Sequence, residues 1–388
     1  MQIEDALSAV PEQKDKERWQ EFLACLALRH TPGIGAITWK KLLDHFGSAR
    51  AAIQNRRQWS EAGLASKGQA ASQEDREAVQ READLVWARK DRFVLYTDPD
   101  YPERLRAIPG PPVLLYFSGR RELLQSPAVA VVGSRGCSSY GLRQAEKICQ
   151  ELSASGICIV SGLACGIDRQ AHLSGLGGTG KSIAVLGTGL DIIYPALNRD
   201  IAERLFQEGL VVSEFAPGTK PEGHNFPVRN RIVSGLCLGV VVVQAAIKSG
   251  SMVTARLALE QGREVFAVPG PVDQKKFEGC HYLIRQGGVL TQSAQDILVE
   301  LAPQLRAFLA PDTKENSGRN WNHDFVGLSA KEVLVVKCLQ DGESRHIDSL
   351  QRELGWAGHE LPAVLLDLEL AGRIRCLPGM RYVLLSTF

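Results

Sequence analysis

The chain has 388 residues, enough for two or three domains, and its 44% hydrophobic and 23% charged residues are ordinary for a globular protein. A formal net charge of +1 is uninformative about partners, and any binding of nucleic acid would use a local basic patch. No apolar run is long enough to cross a bilayer, the stretch MQIEDALSAVPEQKDKERW lacks a secretory profile, and the 9 cysteines form no CxxC pair. We therefore expect a cytoplasmic protein with reduced cysteines.

The first part of the chain is predicted to be helical. From about Glu17 to Arg89 apolar residues recur at helical spacing, as in KERWQEFLACLALRH and ITWKKLLDHFG, and no run has the pattern of a strand. This pattern predicts a small helical domain over residues 1–89.

The middle of the chain has the pattern of an α/β domain. Six short apolar runs follow one another after about Phe93: AVAVVG, ICIVSG, IAVLGTG, LVVSEF, GVVVVQAA and EVFAVPG. Helical patterns such as GLRQAEKICQELSAS and NRDIAERLFQEG lie between several of them. Strands that are apolar on both faces and alternate with helices indicate a parallel sheet covered on both sides. Residues 90–305 are therefore predicted to form a doubly wound, mostly parallel α/β domain.

The last part of the chain has a third pattern. A polar stretch over residues 306–326 indicates a linker. It is followed by three helical patterns, LSAKEVLVVKCLQ, HIDSLQRELGW and HELPAVLLDLELAG, and by IRCLPGMRYVLL, a hairpin with Pro-Gly at its turn. Three short helices closed by a hairpin are typical of a winged helix–turn–helix module, which we predict over residues 327–388.

One motif suggests ATP binding. GLGGTGKS, from Gly175 to Ser182, fits the phosphate-loop pattern G-x-x-x-x-G-K-[ST] at every position. A working phosphate loop follows a strand and begins a helix, whereas here a helical pattern precedes the motif and the apolar run SIAVLGTG follows it. The turn then lies opposite the strand carboxyl ends, where open α/β sheets bind ligands. We interpret it as a glycine-rich turn and expect no ATP site and no other cofactor.

Glycines at the ends of the predicted strands mark a candidate binding edge. Glycine after a parallel strand lets a ligand approach the backbone, and the amides of the next helix can receive an anion. Such strand ends are Gly133-Ser134-Arg135, Gly162, Gly187, Gly189 and Gly270. Several of them along one edge predict a groove. Arg135 offers a forked charge suited to phosphate, but from this turn alone it could equally be a surface residue.

Two further segments carry groups suited to phosphate. Small hydroxylated residues between a strand and a helix either cap the helix or bind phosphate. IKSGSMVTARLALEQG has this pattern at Ser249, Gly250, Ser251 and Thr254. In NFPVRNRIVSG, Arg229 and Arg231 flank Asn230, and two arginines so placed serve either a charged ligand or a buried ion-pair network. From these segments alone both alternatives stay open.

No catalytic or metal centre is predicted. Asp168, Asp191 and Glu214 each follow a strand, but no Ser-His-Asp or Cys-His set is indicated. Asp168 is interpreted as a helix cap and His172, one turn later, as a packing residue. The histidines lack the spacing of metal ligands.

Taken together, these stretches resemble a known family. VVGSRGCSSYG, VSGLACGIDRQAH, AVLGTGLDIIYPALN, SEF, FPVRNRIVSGL, SGSMVTARLALEQGREVFAVPG and LIRQGG follow in order between about Asp98 and Leu301. This series resembles the DNA-processing protein A family, DprA or Smf. The resemblance implies a Rossmann-like domain that binds single-stranded DNA, protects incoming strands in natural transformation and loads the recombinase RecA onto them. It also implies a homodimer formed through that domain, and no enzymatic activity.

The resemblance also implies roles for particular residues. The family's phosphate-contacting arginine falls on Arg135, and the groove would be lined or shaped by Arg229, Asn230, Arg231, Ser249, Gly250 and Ser251. Backbone contacts of this kind predict sequence-tolerant, salt-sensitive binding, with base stacking limited to Tyr140, Tyr194 and Phe226. Cys165 stands where the family usually has arginine, and Gln244 where it usually has glutamate. We expect the first to remove a charge beside the groove and the second to remove its balancing partner, which would alter DNA contacts there.

The flanking regions carry separate expectations. TPGIGAITWKKLL looks like a helix-hairpin-helix turn, in which the amides of Gly33 to Gly35 could face a DNA phosphate, with Lys40 and Lys41 following. The alternative is a turn that packs or contacts a partner. The candidate recognition helix HELPAVLLDLELAG offers Glu360, Asp367 and Glu369 but no Lys or Arg, and phosphate would repel it. A protein-contact or regulatory role is therefore expected for the winged helix.

Two rival functions belong to other classes. Rossmann-like phosphoribohydrolases that act on nucleoside monophosphates share the glycine-rich edges, and Asp168 or Glu214 could serve as their acid, but the P-G-G-x-G-T signature is absent. The other rival is a scaffold that works through its helical ends and whose DNA binding is vestigial.

Overall fold

A computed structural model of the chain describes residues 13–64, 72–90, 92–309, 329–339, 344–356, 360–370, 373–377 and 380–384. The chain forms two compact units, over residues 1–310 and 311–388. Within the described part of the chain, no helix has both the length and the apolar character needed to cross a membrane.

The first unit begins with helices, as the spacing of apolar residues predicts. They are α1 (Gln13–Arg29), α2 (Ala36–Phe46), α3 (Ala49–Gln54) and α4 (Gln73–Arg89). Gly47 ends α2 with a φ of +78°, a left-handed conformation that glycine adopts without a steric penalty. Ser72 and Asp75 form a capping box at the beginning of α4. Leu26 and Leu42 are buried in a core that continues into the sheet, so these helices and the sheet are packed as one body.

A nine-stranded sheet forms the centre of the first unit. Its strands are β1 (Arg92–Leu95), β2 (Leu114–Gly119), β3 (Ala128–Val132), β4 (Cys158–Ser161), β5 (Ser182–Leu186), β6 (Leu210–Ser213), β7 (Gly239–Val242), β8 (Glu264–Ala267) and β9 (Val289–Leu290). Their order is β1-β2-β6-β5-β4-β3-β7-β8-β9. All strands from β6 to β9 in this order run parallel, while β2 is antiparallel to β6 and β1 to β2. The predicted mostly parallel, Rossmann-like sheet is confirmed.

Helices cover both faces of this sheet. They are α5 (Glu103–Ala107), α6 (Ser139–Ala154), α7 (Ile167–Gly177), α8 (Arg199–Glu208), α9 (Asn225–Gly235), α10 (Gly250–Glu260), α11 (Glu278–Arg285), α12 (Ala294–Glu300) and α13 (Ala302–Leu309), with 3₁₀ turns at Arg56–Gln58, Arg121–Gln125, Ala196–Asn198 and Lys275–Phe277. Neighbouring residues of a strand point to opposite faces. Val160 accordingly packs in the core with α9, α10 and the N-terminal helices, and Ile159 in the core with α6, α7 and α12.

The chain changes direction across the sheet between β3 and β7. From β3 the next strands extend towards one edge, whereas β7, β8 and β9 extend towards the other. Open α/β sheets bind ligands at the carboxyl ends of the strands, at such a switch point. The loops after β3, β4 and β7 therefore meet where a binding site is expected.

The ATP-like motif lies at the opposite edge of the sheet. α7 ends at Gly177 and β5 begins at Ser182, so the turn leads from a helix into a strand, as predicted. The Nζ atom of Lys181 donates to the carbonyl oxygen of Leu176 at 3.2 Å. Gly180 is packed so closely that a Cβ there would lie 2.2 Å from the carbonyl oxygen of Ile157. The motif is a packed connection, and the residue after Lys181 begins a strand rather than a helix.

The second unit contains short helices and a small antiparallel sheet. Its elements are α14 (Ala330–Cys338), β10 (Arg345–His346), α15 (Ile347–Leu354), α16 (Glu360–Leu370), β11 (Ile374–Leu377) and β12 (Arg381–Leu384), with strand order β10-β12-β11. Val335, Leu350 and Leu365 are buried in its core. The predicted winged-helix arrangement is confirmed, while the Pro378-Gly379 turn and most of the expected linker, from 310 onwards, lie outside the described residues.

Candidate functional site

A cleft of about 750 Å³ lies at the carboxyl ends of β3, β4 and β7. Most residues predicted for the groove line it: Gly133, Ser134, Arg135, Gly162, Arg229, Asn230, Ser249, Gly250, Ser251 and Thr254. Gly187 and Arg231 do not line it. The structure thus brings together segments that are more than 100 residues apart in the chain, which Gly133 and Thr254 illustrate.

Two loops that contact each other form one wall of the cleft. The amide of Ile167 donates to the carbonyl oxygen of Ser134 at 3.3 Å, which joins the β4–α7 loop to the β3–α6 loop. Gly166 has a φ of +76°, and a Cβ there would lie 2.4 Å from the same Ser134 oxygen. Both the conformation and the close approach require glycine at this position, so Gly166 allows the two loops to pack directly against each other beside the cleft.

Arg229 places a buried charge at the floor of the cleft. The residue is only 4% exposed, and its Nη1 donates to the carbonyl oxygen of Val185. The guanidinium lies against Gly162, where a Cβ would be 2.3 Å from Nη1. Among the described residues, its Nε has no hydrogen-bond partner. Desolvation lowers the pKa of Arg229 to about 10, against the opposing effect of Asp168, so the side chain stays protonated at neutral pH.

Asp168 is a buried carboxylate that organises the adjoining loop. Its Oδ2 accepts from the amides of Gly162, at 3.1 Å, and Ala164, at 3.4 Å. Burial raises the pKa of Asp168, while the charge of Arg229 and these amides act in the opposite direction. The prediction that Asp168 caps α7 is wrong. Gly166 occupies the N-cap position, and Asp168 binds amides of the preceding loop because the chain folds back over it.

The beginning of α10 supplies amides on the other side of the cleft. Among the described residues, no side chain caps this helix, although Ser249 precedes it. Instead the Oγ atoms of Ser249 and Ser251 lie 3.0 Å apart, and Thr254 Oγ1 donates to the carbonyl oxygen of Gly250 at 3.4 Å. Uncapped first-turn amides and the helix dipole both favour a bound anion. Of the two alternatives for this segment, the geometry favours anion binding over capping.

Aromatic side chains stand beside Arg135. The Cζ atom of Arg135 lies 5.8 Å from the ring centroid of Phe226, and the rings of Phe226 and Tyr194 are also 5.8 Å apart. Both rings line the cleft. Gly187 lies beneath Phe226, because a Cβ there would be 2.9 Å from its Cδ1. This position explains why Gly187 supports the cleft without lining it.

Two other candidates have different partners. Arg231 forms an ion pair with Glu214, Nη2 to Oε1 at 2.6 Å and Nη1 to Oε2 at 2.8 Å, and its Nε donates to the carbonyl oxygen of Gly110 at 2.8 Å. Each of the two alternatives for this segment thus applies to one arginine: Arg229 lines the cleft, and Arg231 forms a largely buried ion pair. The hydroxyl of Tyr140 donates to the carbonyl oxygen of Pro269 at 2.9 Å, away from the aromatic pair.

The two departures from the family pattern have different surroundings. Cys165 lines a smaller pocket of about 70 Å³, together with Arg135 and Arg229. Gln244 is fully buried, and its Oε1 accepts from the amide of Ser138 at 2.8 Å, at the beginning of α6. Gln244 thus holds α6 in place, which differs from the expected loss of a charge balance with position 165.

The flanking candidates point to contacts within the protein. The Nζ atom of Lys40 lies 3.3 Å from the carbonyl oxygens of both Ala107 and Ile108, which favours the packing alternative for the helix-hairpin-helix turn. In the second unit, Glu360 of α16 forms an ion pair with Lys331 at 3.2 Å. Over the residues that the structure describes, no three His, Cys, Asp or Glu side chains are grouped so that they could hold a metal ion.

Sequence reasoning missed the residues that hold the β4–α7 loop. His172 Nε2 accepts from the amide of Leu163 at 3.2 Å, and Asn198 Nδ2 donates to the Leu163 carbonyl oxygen at 2.8 Å. His172 was expected only to pack. Asn198 precedes a helix, where asparagine is ordinarily taken for a cap, so the sequence carried no signal for either contact.

The chain matches models of three protein families. These are DNA recombination-mediator protein A over residues 92–302, the DprA-like N-terminal HHH domain over 19–84 and the DprA winged helix domain over 326–380. Protein Smf of Escherichia coli (strain K12) is 42% identical over 301 residues, which cover 77% of this chain and 79% of Smf. DNA processing protein DprA of Streptococcus pneumoniae is 48% identical over 203 residues, which cover 52% of this chain and 72% of that protein.

Two solved structures are similar to this chain. DNA processing protein A from Streptococcus pneumoniae shares 39% sequence identity with a TM-score of 0.57, over 64% of this chain and 92% of that one. DNA processing protein A from Helicobacter pylori, whose structure addresses its single-stranded DNA binding mode, shares 30% identity with a TM-score of 0.50. That match covers 55% of this chain and 97% of that one.

Proposed function

The chain belongs to the DNA recombination-mediator protein A family, and from that premise we propose that it is a cytoplasmic protein that binds single-stranded DNA. It would protect incoming strands and load the recombinase RecA onto them in natural transformation and recombination. It would do so as a binding protein, without a catalytic step or cofactor. The observation that carries the proposal is that Arg135, Arg229 and the uncapped amides of α10 converge on one cleft.

The chemistry of the cleft suits a phosphodiester backbone. The two guanidinium groups and the helix amides offer charge and hydrogen-bond donors to phosphate oxygens, and such contacts carry no base information. Gly136 and Gly250 also line the cleft and carry no side chain, which lets a DNA backbone approach the main chain closely. Binding of this kind would be sequence-tolerant and would weaken with salt.

The aromatic pair supports single strands over duplex. Tyr194 is 44% exposed and lies with Phe226 at the same cleft. An unpaired base can stack on such a ring, a contact that contributes about 1–3 kcal/mol per base, whereas the paired bases of a duplex are already stacked. Phosphate contacts at Arg135 with stacking beside it therefore favour an unpaired strand.

The phosphoribohydrolase alternative is less well supported. Its proposed acids are already bound, because Glu214 is paired with Arg231 and the Asp168 carboxylate accepts from two backbone amides. Both carboxylates are less than 8% exposed, at 6% for Glu214 and 7% for Asp168. Glu214 does not line the cleft, and Asp168, which does, has its Oδ2 engaged by the loop amides, so neither is placed as a free general acid would be.

We also propose that the protein is a homodimer through its Rossmann-like domain. β9 is an edge strand of two residues, and Leu290 on it is 48% exposed. Tyr282 on the adjacent α11 is 49% exposed. A second copy that covers these side chains would place two clefts on one strand and raise the apparent affinity. Sedimentation of the protein and of Leu290→Glu tests this, since the variant would sediment as a monomer.

The first experiment measures the fluorescence anisotropy of labelled oligo-dT with the wild type and Arg135→Ala at several salt concentrations. We expect wild-type binding that duplex competes for poorly and that ATP leaves unchanged. Loss of one phosphate contact should lower the slope of log affinity against log salt by about 0.7. The exposed Arg143 on α6 lies outside the cleft lining, so Arg143→Ala is a control that removes the same charge.

Other outcomes would overturn the assignment. Absence of binding to any strand would reject it, and so would displacement of the strand by ATP. Release of free base from a nucleoside monophosphate would favour the phosphoribohydrolase. If the strand binds as expected, RecA loading is tested by the rate at which RecA assembles on that strand with and without the protein.

A further inference from the structure

The β4–α7 loop contains a residue in an unusual conformation. Leu163 is fully buried and has a φ of +56°, in the left-handed region that leucine rarely adopts. Its neighbours Gly162 and Ala164 both line the cleft. A residue stays in such a conformation only when its surroundings hold it there, so the contacts of Leu163 show what fixes this wall.

Buried side chains hold both polar groups of Leu163. Its amide donates to Nε2 of His172 at 3.2 Å. Its carbonyl oxygen accepts from Nδ2 of Asn198 at 2.8 Å, and the same Nδ2 donates to the carbonyl oxygen of Ala164 at 3.0 Å. His172 and Asn198 are both 0% exposed. These two buried side chains therefore fix the loop on the side away from the cleft.

Ser182 determines how His172 binds the loop. Its Oγ donates to the carbonyl oxygen of Ile159 at 2.7 Å and lies 2.8 Å from Nδ1 of His172. Because the hydroxyl proton is used towards Ile159, Oγ accepts from Nδ1–H, which leaves Nε2 unprotonated and able to accept from Leu163. Ser182 thus sets the tautomer that the loop contact requires.

Ser182 is also the last residue of GLGGTGKS. In a working phosphate loop, the hydroxyl at this position binds the magnesium ion of a nucleotide. Here it lies within the protein, at the first residue of β5, and its hydrogen bonds lead through His172 to the cleft wall. The motif at the far edge of the sheet is therefore connected to the cleft by two hydrogen bonds.

We propose that Ser182 and His172 are positioning residues for the cleft, which hold Leu163 in its left-handed conformation so that the β4–α7 loop fits the DNA backbone. The inference rests on the proposed function. If Leu163 relaxed to a negative φ, its peptide groups would rotate and Gly162 would shift. Arg229 packs directly on Gly162, so its guanidinium would lose the surface against which it is positioned. The alternative is that the Ser182–His172 network contributes only to the stability of the fold.

The test compares the affinity of folded variants for oligo-dT with their thermal stability. We expect Ser182→Ala and His172→Leu each to weaken binding by about tenfold, because each removes a partner from a buried hydrogen bond in the network. Displacement of Arg229 would cost at most one phosphate contact, so the salt slope should fall by no more than about 0.7, and a purely structural network would leave it unchanged. His172→Gln should recover much of the affinity, since its amide oxygen can accept from the Leu163 amide.

Ser153→Ala is the matched control. Ser153 is also a buried serine that donates to a carbonyl oxygen, that of Gly175 at 2.6 Å, but it does not line the cleft or contact its loops. Its loss should lower the melting temperature and leave the affinity within about twofold.

If Ser182→Ala and His172→Leu melt at lower temperatures but bind DNA as the wild type does, the network is structural only and the inference is wrong. If His172→Leu does not fold, Ser182→Ala decides. Failure of the wild type to bind any strand would instead reject the proposed function itself, and this inference with it.

Discussion

Arg231 and Glu214 form a bidentate ion pair. Arg231 lies on α9, the helix that also carries Arg229 into the cleft. Nη2 lies 2.6 Å from Oε1 and Nη1 lies 2.8 Å from Oε2, with side chains 14% and 7% exposed. Arg29 of α1 donates to the carbonyl oxygen of the same Glu214 at 2.9 Å. The pair thus ties α9 to the end of β6, and Glu214 ties both to the N-terminal helices.

Removal of one member of this pair should destabilise the protein strongly. Glu214→Gln would leave the largely buried charge of Arg231 uncompensated, which should lower the free energy of unfolding by about 3 kcal/mol. Urea denaturation measures the change. The exposed pair Arg256 and Glu260, with side chains 70% and 58% exposed, supplies the control. Glu260→Gln should change the free energy of unfolding by less than about 0.5 kcal/mol. Equal losses in the two variants would contradict the role of the buried pair.

Gly162→Ala should weaken DNA binding through Arg229. The new Cβ would lie 2.3 Å from Nη1, so the guanidinium would have to move from the floor of the cleft. We expect an affinity for oligo-dT about tenfold lower, as a displaced charge contact predicts. At Gly136, which also lines the cleft, a Cβ would meet no heavy atom of the described residues within 4 Å. Anisotropy titrations in which Gly136→Ala binds as weakly as Gly162→Ala would show that bulk in the cleft, not Arg229, is responsible.

The buried imidazole of His172 should make stability depend on pH. Desolvation, assisted by the charge of Arg229, lowers the pKa of His172 from 6.5 to about 3 in the folded protein. The unfolded chain therefore binds the proton more tightly, so this contribution to stability is complete above pH 6.5 and is lost as the pH falls towards 3. Between roughly pH 7.5 and pH 5 the loss should be about 2 kcal/mol larger in the wild type than in His172→Gln. Urea denaturation at both pH values measures it, and identical pH dependence in the two proteins would contradict the neutral, buried imidazole.

The Lys181 side chain should have no part in nucleotide binding. Its Nζ is bonded to Leu176 at the edge opposite the cleft, so Lys181→Ala should leave the affinity for oligo-dT within about twofold, as expected when no phosphate contact is lost. Isothermal titration calorimetry of the wild type with Mg-ATP should give no binding heat. A binding isotherm that disappears in Lys181→Ala would show that GLGGTGKS works as a phosphate loop after all.

The amino-acid pattern predicts the parallel part of the sheet well because its strands are buried on both faces and are therefore continuously apolar. β1 and β2 precede this pattern and join the sheet in antiparallel pairing, which depends on partners far along the chain. β9 has two residues, too few for any periodicity. Local composition thus predicts the type of an element where its burial is complete. The prediction fails where pairing with distant strands alone defines the strand.

In the candidate site, too, local sequence predicts some features, while others depend on contacts between distant segments. Glycine-rich strand ends predict where the cleft lies, because parallel strands bring their carboxyl ends to one edge. The pattern could not assign Arg229 and Arg231 separately, because it did not place NFPVRNRIVSG within a helix. Both lie within α9, where residues two apart face different directions, so only one of them can reach the cleft. His172 and Ser182 were beyond prediction because their role depends on a contact across the α7–β5 turn.

The location of that turn has a practical consequence. Gly177, at the end of α7, is exposed, and a Cβ there would meet no heavy atom of the described residues within 4 Å. A cysteine introduced at this position could carry biotin or a fluorophore without entering the core, once the part-exposed native cysteines, among them Cys137, Cys165 and Cys338, are replaced. Protein attached to a sensor surface through it would turn the carboxyl edge of the sheet towards the solution. Long strands could then reach every immobilised molecule in the same orientation, which single-molecule measurements of strand capture require.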